Sequence, residues 1–208
     1  MAAIATADVL APAPMTLEQW ADLDEDEPGE LVDGWLVEEE APEHAHEVIV
    51  AWFVATLYGW IVPLGGFVLG SEHKLGVSPV RGRKPDVSLY APGTRLGRGS
   101  LSRTPPRMVL EVISARPRDA RRDRLDKMSE YARFGVRSYW LVDPALRMLE
   151  GYELGEDGYY VRRFGAAEGR VEVPGFEGLV LDLDALWAQV DRVIGEDPGE
   201  AGPQGGED

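Results

Sequence analysis

The chain has 208 residues and is 44% hydrophobic, enough for one sizeable core and short of two typical domains. It has no cysteine, which excludes disulfide staples and thiolate metal sites and fits a reducing, cytoplasmic compartment. The net charge of −16 argues against generic nucleic-acid binding, but residues 81–137 hold 15 Lys or Arg against 6 Asp or Glu, whereas residues 1–73 hold no Lys or Arg. A basic middle in an acidic protein can present a positive groove to a phosphate backbone. Internal pairing of the same charges is the competing reading.

Residues 1–14 carry small apolar side chains and no basic residue, so they read as a disordered leader rather than a signal peptide. One domain is expected over 15–194, followed by a disordered acidic tail over 195–208 that is rich in Gly and Pro. Thr16-Leu17-Glu18-Gln19 is a capping-box pattern that predicts a short helix through Leu23. Glu30–Val32 and Trp35–Val37 flank Asp33-Gly34 as a tight hairpin. A helix is predicted from Glu43 to Tyr58, ended by Gly59 and Pro63. No apolar run approaches the ~18 residues of a membrane span; the nearest, Val48 to Leu64, is broken by Thr56, Gly59 and Pro63 and reads as a buried helix plus turn.

Short strands are predicted at Gly66–Leu69, Glu72–Leu75 and Asp86–Tyr90. Met108–Ile113 is apolar on both faces, as a covered central strand would be. A helix over 119–134 and a buried strand at Ser138–Val142 follow. Met148–Leu154 and Tyr159–Phe164 pair as a hairpin, and a last helix runs near Leu183–Val190. Helices alternating with strands, some antiparallel, predict an α/β (α+β) fold: a mixed β-sheet flanked by helices, with extra β-hairpins.

Three residues stand out against this background. Glu111 lies inside the apolar strand Met108–Ile113, where a carboxylate needs a compensating charge or metal. A salt bridge to a nearby Arg is its simpler explanation. Asp86 opens a strand directly after Pro85. Two carboxylates on neighbouring strands, with a backbone carbonyl such as that of Val112, suit a hard cation such as Mg²⁺. Lys127 follows on the next helix, on a stripe with Asp123 and Tyr131 and at the edge of a core-facing stripe of Leu125, Met128 and Ala132. A surface pair with Asp123 is the alternative.

Together these stretches resemble the Uma-type family of restriction-endonuclease-like proteins within the PD-(D/E)XK nuclease superfamily. The resemblance is carried by Glu30-Leu31-Val32-Asp33-Gly34, His46-Glu47-Val48-Ile49, Arg83-Lys84-Pro85-Asp86-Val87, Leu110-Glu111-Val112-Ile113-Ser114 and residues 123–144. It implies a Mg²⁺- or Mn²⁺-dependent endonuclease acting on DNA. Asp86 and Glu111 match the acidic residues of the superfamily motif, and Glu30 matches an extra acidic residue on an early element. The motif's lysine position is occupied by Ile113; Lys127 matches a lysine moved to the following helix. The resemblance thus implies Asp86, Glu111, Lys127 and Glu30 as catalytic residues, with Asp86, Glu111 and Val112 as metal ligands.

His46 is a further candidate, against a capping or surface role; His44-Ala45-His46 alone is one ligand short of a usual zinc set. The dense basic run with Arg116, Arg118, Arg121, Arg122 and Arg124, together with Arg83, is expected to contact DNA phosphates. A solvated helix start is the alternative for the run. The other functional class is a catalytically inactive nuclease-fold module that binds nucleic acid or protein. A homodimer through the 148–164 hairpin is a third option.

Overall fold

The computed structural model describes residues 13–24, 29–38, 42–114 and 121–195, with the backbone alone for Arg122 and Asp123. The expected leader, apart from residues 13 and 14, and the tail beyond residue 195 lie outside the described residues, as do Arg116 and Arg118.

Helix α1 (Leu17–Ala21) carries the expected capping box: Gln19 N–H bonds the Thr16 hydroxyl, and the Gln19 side chain accepts from Thr16 N–H. Strands β1 (Glu30–Val32) and β2 (Trp35–Val37) form the expected hairpin, with Asp33 and Gly34 both at positive φ (52° and 83°). Helix α2 (His44–Ile61) runs two residues past Gly59, and a 3₁₀ turn at Val62–Leu64 ends it. At Gly59 an added Cβ would meet nothing within 4 Å, and the backbone there is not left-handed, so the helix continues through it. By length and composition α2 would suit a membrane span. Here Ile49, Phe53, Leu57 and Ile61 are fully buried against the protein's own sheet.

Strand β3 (Phe67–Leu69) follows, then β4 (Lys74–Ser78), β5 (Arg81–Arg83), β6 (Val87–Tyr90), β7 (Leu101–Ser102) and β8 (Met108–Val112). A π-helical turn over Arg122–Lys127 leads into α3 (Met128–Phe134). The remainder is β9 (Ser138–Asp143), β10 (Met148–Leu154), β11 (Tyr160–Ala166), β12 (Arg170–Glu172), β13 (Val180–Asp182) and α4 (Leu183–Ile194).

The strands form a six-stranded sheet in the order β11-β10-β9-β8-β6-β3, a five-stranded sheet in the order β2-β1-β5-β4-β7, and a two-stranded β12–β13 pair. In the larger sheet β8 and β9 are parallel and their neighbours antiparallel. That is the mixed sheet expected from the sequence. Of the second sheet, the β1–β2 hairpin and part of β4 were expected; the short β5 (Arg81-Gly82-Arg83) and β7, and the joining of these strands into one sheet, were not.

Alternation along β8 sets the two layers. Met108, Leu110 and Val112 face the core under α2 and α4, whereas Val109 and Ile113 face the core under α3. Glu111 belongs to this second set by alternation. Leu75 and Val77 of β4 join that core, so α3 is held between the two sheets.

Candidate active site

Glu111 and Glu30, from a strand of each sheet, meet at Lys127. Glu111 is 2% exposed. Its Oε2 lies 3.0 Å from Lys127 Nζ, and the Tyr131 hydroxyl donates to its Oε1 at 2.7 Å. Lys127 Nζ also stands 3.5 Å from Glu30 Oε1, so one buried ammonium bridges a strand of each sheet. Glu30 accepts from Arg83 at 2.6 Å and from the Lys84 N–H at 2.9 Å.

Asp86 is tied to the same strand end. Its Oδ2 accepts the Val112 N–H at 2.6 Å, and its Oδ1 lies 3.2 Å from His46 Nε2. Val87 pairs with Leu110, so one rung further along this antiparallel ladder sets Asp86 opposite Glu111. In an extended strand a residue's N–H and C=O point to the same side. The Val112 carbonyl therefore also faces the Asp86 side, past the last rung of β6.

The structure thus joins Glu111, Lys127 and Glu30 directly, and holds Asp86 with His46 at the neighbouring strand end, against the Val112 N–H. The salt bridge expected as the simpler fate of Glu111 exists, but with Lys127 rather than an arginine. Lys127 is 3% exposed; of the stripe at whose edge it was expected, Met128 packs on the core but Leu125 is 57% exposed. The π turn is the cause. Extra residues per turn rotate side chains away from the 3.6-residue register.

Two expectations for the arginines are corrected. Arg83 is 1% exposed and cannot reach a DNA backbone; its guanidinium spans Glu30 and Glu130, with contacts to Glu130 of 2.7 and 2.9 Å. Burial opposes the Arg83 charge, but Glu30 and Glu130 outweigh it and hold the group protonated. Arg124 is committed to Glu150 at 2.8 Å and Asp143 at 3.1 Å. Arg121 stands exposed, and the side chain of Arg122 lies outside the described residues. His44 and His46 lie two apart on α2 rather than on a loop, so they point in different directions, and His44 is exposed.

Reasoning from the sequence did not assign Tyr131, Glu130, Arg81 or Asp33. Glu130 bonds Arg81 as well as Arg83, and Arg81 continues to Asp33 at 2.7 and 2.9 Å. A chain of alternating charges therefore runs from the hairpin turn to Glu111. Its signals were present: Arg81 and Arg83 are two apart on a strand, on one face, and Glu130 follows Lys127 by three on a helix. Burial, aided by Glu111, pushes the Tyr131 phenol well above its ordinary range, so it remains a neutral donor.

Among the described residues, no group of three or more His, Asp or Glu stands ready as a metal cage. The donor set is two carboxylates and a carbonyl. That set fits Mg²⁺, which keeps several waters and takes one or two carboxylates. It does not fit a softer ion that needs thiolate or several imidazoles.

Among curated proteins none matches the chain. A crystal structure from Anabaena variabilis ATCC 29413, described as that of "a putative nuclease belonging to DUF820", superposes with a TM-score of 0.67 at 20% identity, covering 85% of this chain and 99% of that one. At that identity the likeness establishes a shared fold. The Uma2 family model, described as "Putative restriction endonuclease", matches residues 15–184, and the chain belongs to that family.

Proposed function

We propose that the protein is an endonuclease hydrolysing DNA phosphodiester bonds with a divalent cation, Mg²⁺ or Mn²⁺. The observation that carries this reading is the buried Lys127 ammonium, 3.0 Å from Glu111 and 3.5 Å from Glu30, at the strand end where Asp86 meets Val112. Asp86, Glu111 and the Val112 carbonyl would hold the cation. When bound, it supplies Lewis acidity and lowers the pKa of a coordinated water. Lys127 sets a positive charge beside Glu111, where negative charge on a phosphate is stabilised. Tyr131 fixes the rotamer of Glu111 through its hydroxyl. His46 fixes Asp86 from α2. Glu30 has its oxygens engaged by Arg83, Lys84 N–H and Lys127, so it anchors the lysine rather than meeting a second ion.

The test is nicking of supercoiled plasmid with Mg²⁺ and with Mn²⁺, with Asp86→Ala and Lys127→Met as controls. Cleavage by the parent alone is expected. No cutting of plasmid, single-stranded DNA or RNA with either ion refutes the reading. One observation favours an inactive nucleic-acid- or protein-binding module: Lys127, Tyr131 and Arg83 already compensate the buried carboxylates without a metal. In that case calorimetry with Mn²⁺ gives no heat of binding that depends on Asp86.

A further inference from the structure

A cleft of about 340 Å³ opens at the other end of β8 and β9. Arg107 stands just before β8 and Arg137 just before β9, roughly 16 Å along the strand from Val112. Its aromatic wall, Trp140, Phe164 and Phe176, belongs to the core under α2 and α4, on the sheet face opposite Lys127. The cleft is therefore separate from the candidate active site in both position and face.

Its charge is unusual for an acidic protein. Arg107, Arg137 and Arg163 line it against a single carboxylate, Glu153. Glu153 lies 2.8 Å from Arg163 and 3.9 Å from Arg137. Arg107 has no carboxylate partner among the described residues. Its guanidinium lies 4.6 Å over the Phe176 ring and donates to the Gly175 carbonyl. It is thus held in place by a ring and a peptide group, with its charge uncompensated.

The wall beside these cations is flat and apolar. Phe164 packs over Gly151, where a Cβ would fall 1.9 Å from its ring, and meets Trp140 edge-on at 5.7 Å. Gly151 thus lets the ring lie against the strand, and Phe164 remains partly exposed to the cleft. Guanidinium groups match phosphate oxygens in a planar fork. Aromatic faces take nucleobases with little sequence preference. The volume lies within the range of small-molecule sites.

We propose that this cleft binds a nucleoside monophosphate, its phosphate against Arg107, Arg137 and Arg163 and its base against Phe164. The ligand is either a free nucleotide or the 5′-terminal nucleotide of a strand. The inference does not require that the chain cleaves DNA.

Calorimetry on the full chain, in EDTA so that no cation occupies the other site, tests it with AMP, adenosine, inorganic phosphate, and dT5 with and without a 5′-phosphate. AMP is expected to bind at least about tenfold more tightly than adenosine or phosphate. Arg137→Glu, at a position 72% exposed where folding is insensitive, and Arg107→Ala should each weaken AMP about tenfold, while Asp86→Asn leaves it unchanged. Preference for 5′-phosphorylated dT5 over AMP assigns a strand end; binding of AMP alone assigns a free nucleotide. No AMP binding at millimolar concentration, equal binding of phosphate and AMP, or AMP affinity unchanged in Arg137→Glu overturns the proposal.

Discussion

Replacing Arg83 by Met separates two readings of one arginine. As a DNA contact, its loss would weaken binding and lower the salt dependence without touching stability. The structure instead places it 1% exposed between Glu30 and Glu130, which are 0% and 6% exposed. Arg83→Met leaves both carboxylates buried without their shared cation. Breaking a buried ion pair from one side costs about 3–5 kcal/mol. Glu30 keeps Lys84 N–H and Lys127, and Glu130 keeps Arg81, so the lower end, about 3 kcal/mol, applies. With a urea slope of roughly 2–3 kcal/mol/M for a chain of this size, the unfolding midpoint should fall by roughly 1–1.5 M. Tryptophan fluorescence in urea reads this directly. Arg83→Met combined with Glu130→Gln should recover part of the loss, because one stranded charge is gone. A midpoint within ~0.3 M of the parent would refute the buried-bridge account.

Lys127→Met should abolish cleavage by at least about a hundredfold in the plasmid assay, and the melting temperature should fall as Glu111 and Glu30 lose their shared ammonium. Burial pushes the His73 imidazole from its ordinary 6.5 down to about 4. Between those values the unfolded chain takes up a proton that the folded chain does not, so stability falls as pH drops through this window. The parent should lose about 2 kcal/mol more than His73→Phe between pH 7 and pH 4, a value discounted for partial exposure and measured by urea midpoints. Two glycines should respond with opposite signs in thermal melts. Gly82→Ala places a Cβ 2.2 Å from the buried Trp20 ring and should cost about 1–3 kcal/mol. Gly59→Ala meets nothing within 4 Å on α2 and should gain about 0.5–1 kcal/mol.

Elements with a strong local signal were legible in the sequence. The capping box at Thr16, the Asp33-Gly34 hairpin turn and the doubly apolar β8 are each dictated by neighbours in sequence, and each forms as expected. Beyond that hairpin and part of β4, the second sheet was not legible, because its assembly comes from packing. Arg81-Gly82-Arg83 reads as a polar loop until Gly82 is seen to make room for the Trp20 ring, with Arg83 turned inward to Glu30 and Glu130. The π turn was equally hidden. A 3.6-residue period over 119–134 puts Leu125 in the core-facing stripe and Lys127 at its edge; with the π turn in place Leu125 is exposed and Lys127 buried.

The apolar residue at 113 has a packing reason. Residues 111 and 113 alternate onto the same face of β8, so a lysine at 113 would lie on the Glu111 side. Here Ile113 is 6% exposed and packs with Tyr131, Val136 and Leu141 in the core beneath α3. A charge there would have to be buried in an apolar cluster. The face is covered by α3, and a helix crossing it can deliver an amine from above to the carboxylate that a strand lysine would reach from beside. Lys127 shares the inward face of the helix with the buried Tyr131, four residues on, and Glu30 on the other sheet balances its buried charge at 3.5 Å. The buried Lys127 and the Glu30–Arg83–Glu130 bridge are therefore one connected set of charges. Substituting Glu30 should therefore lower the melting temperature, as Lys127 loses one of its two buried carboxylates.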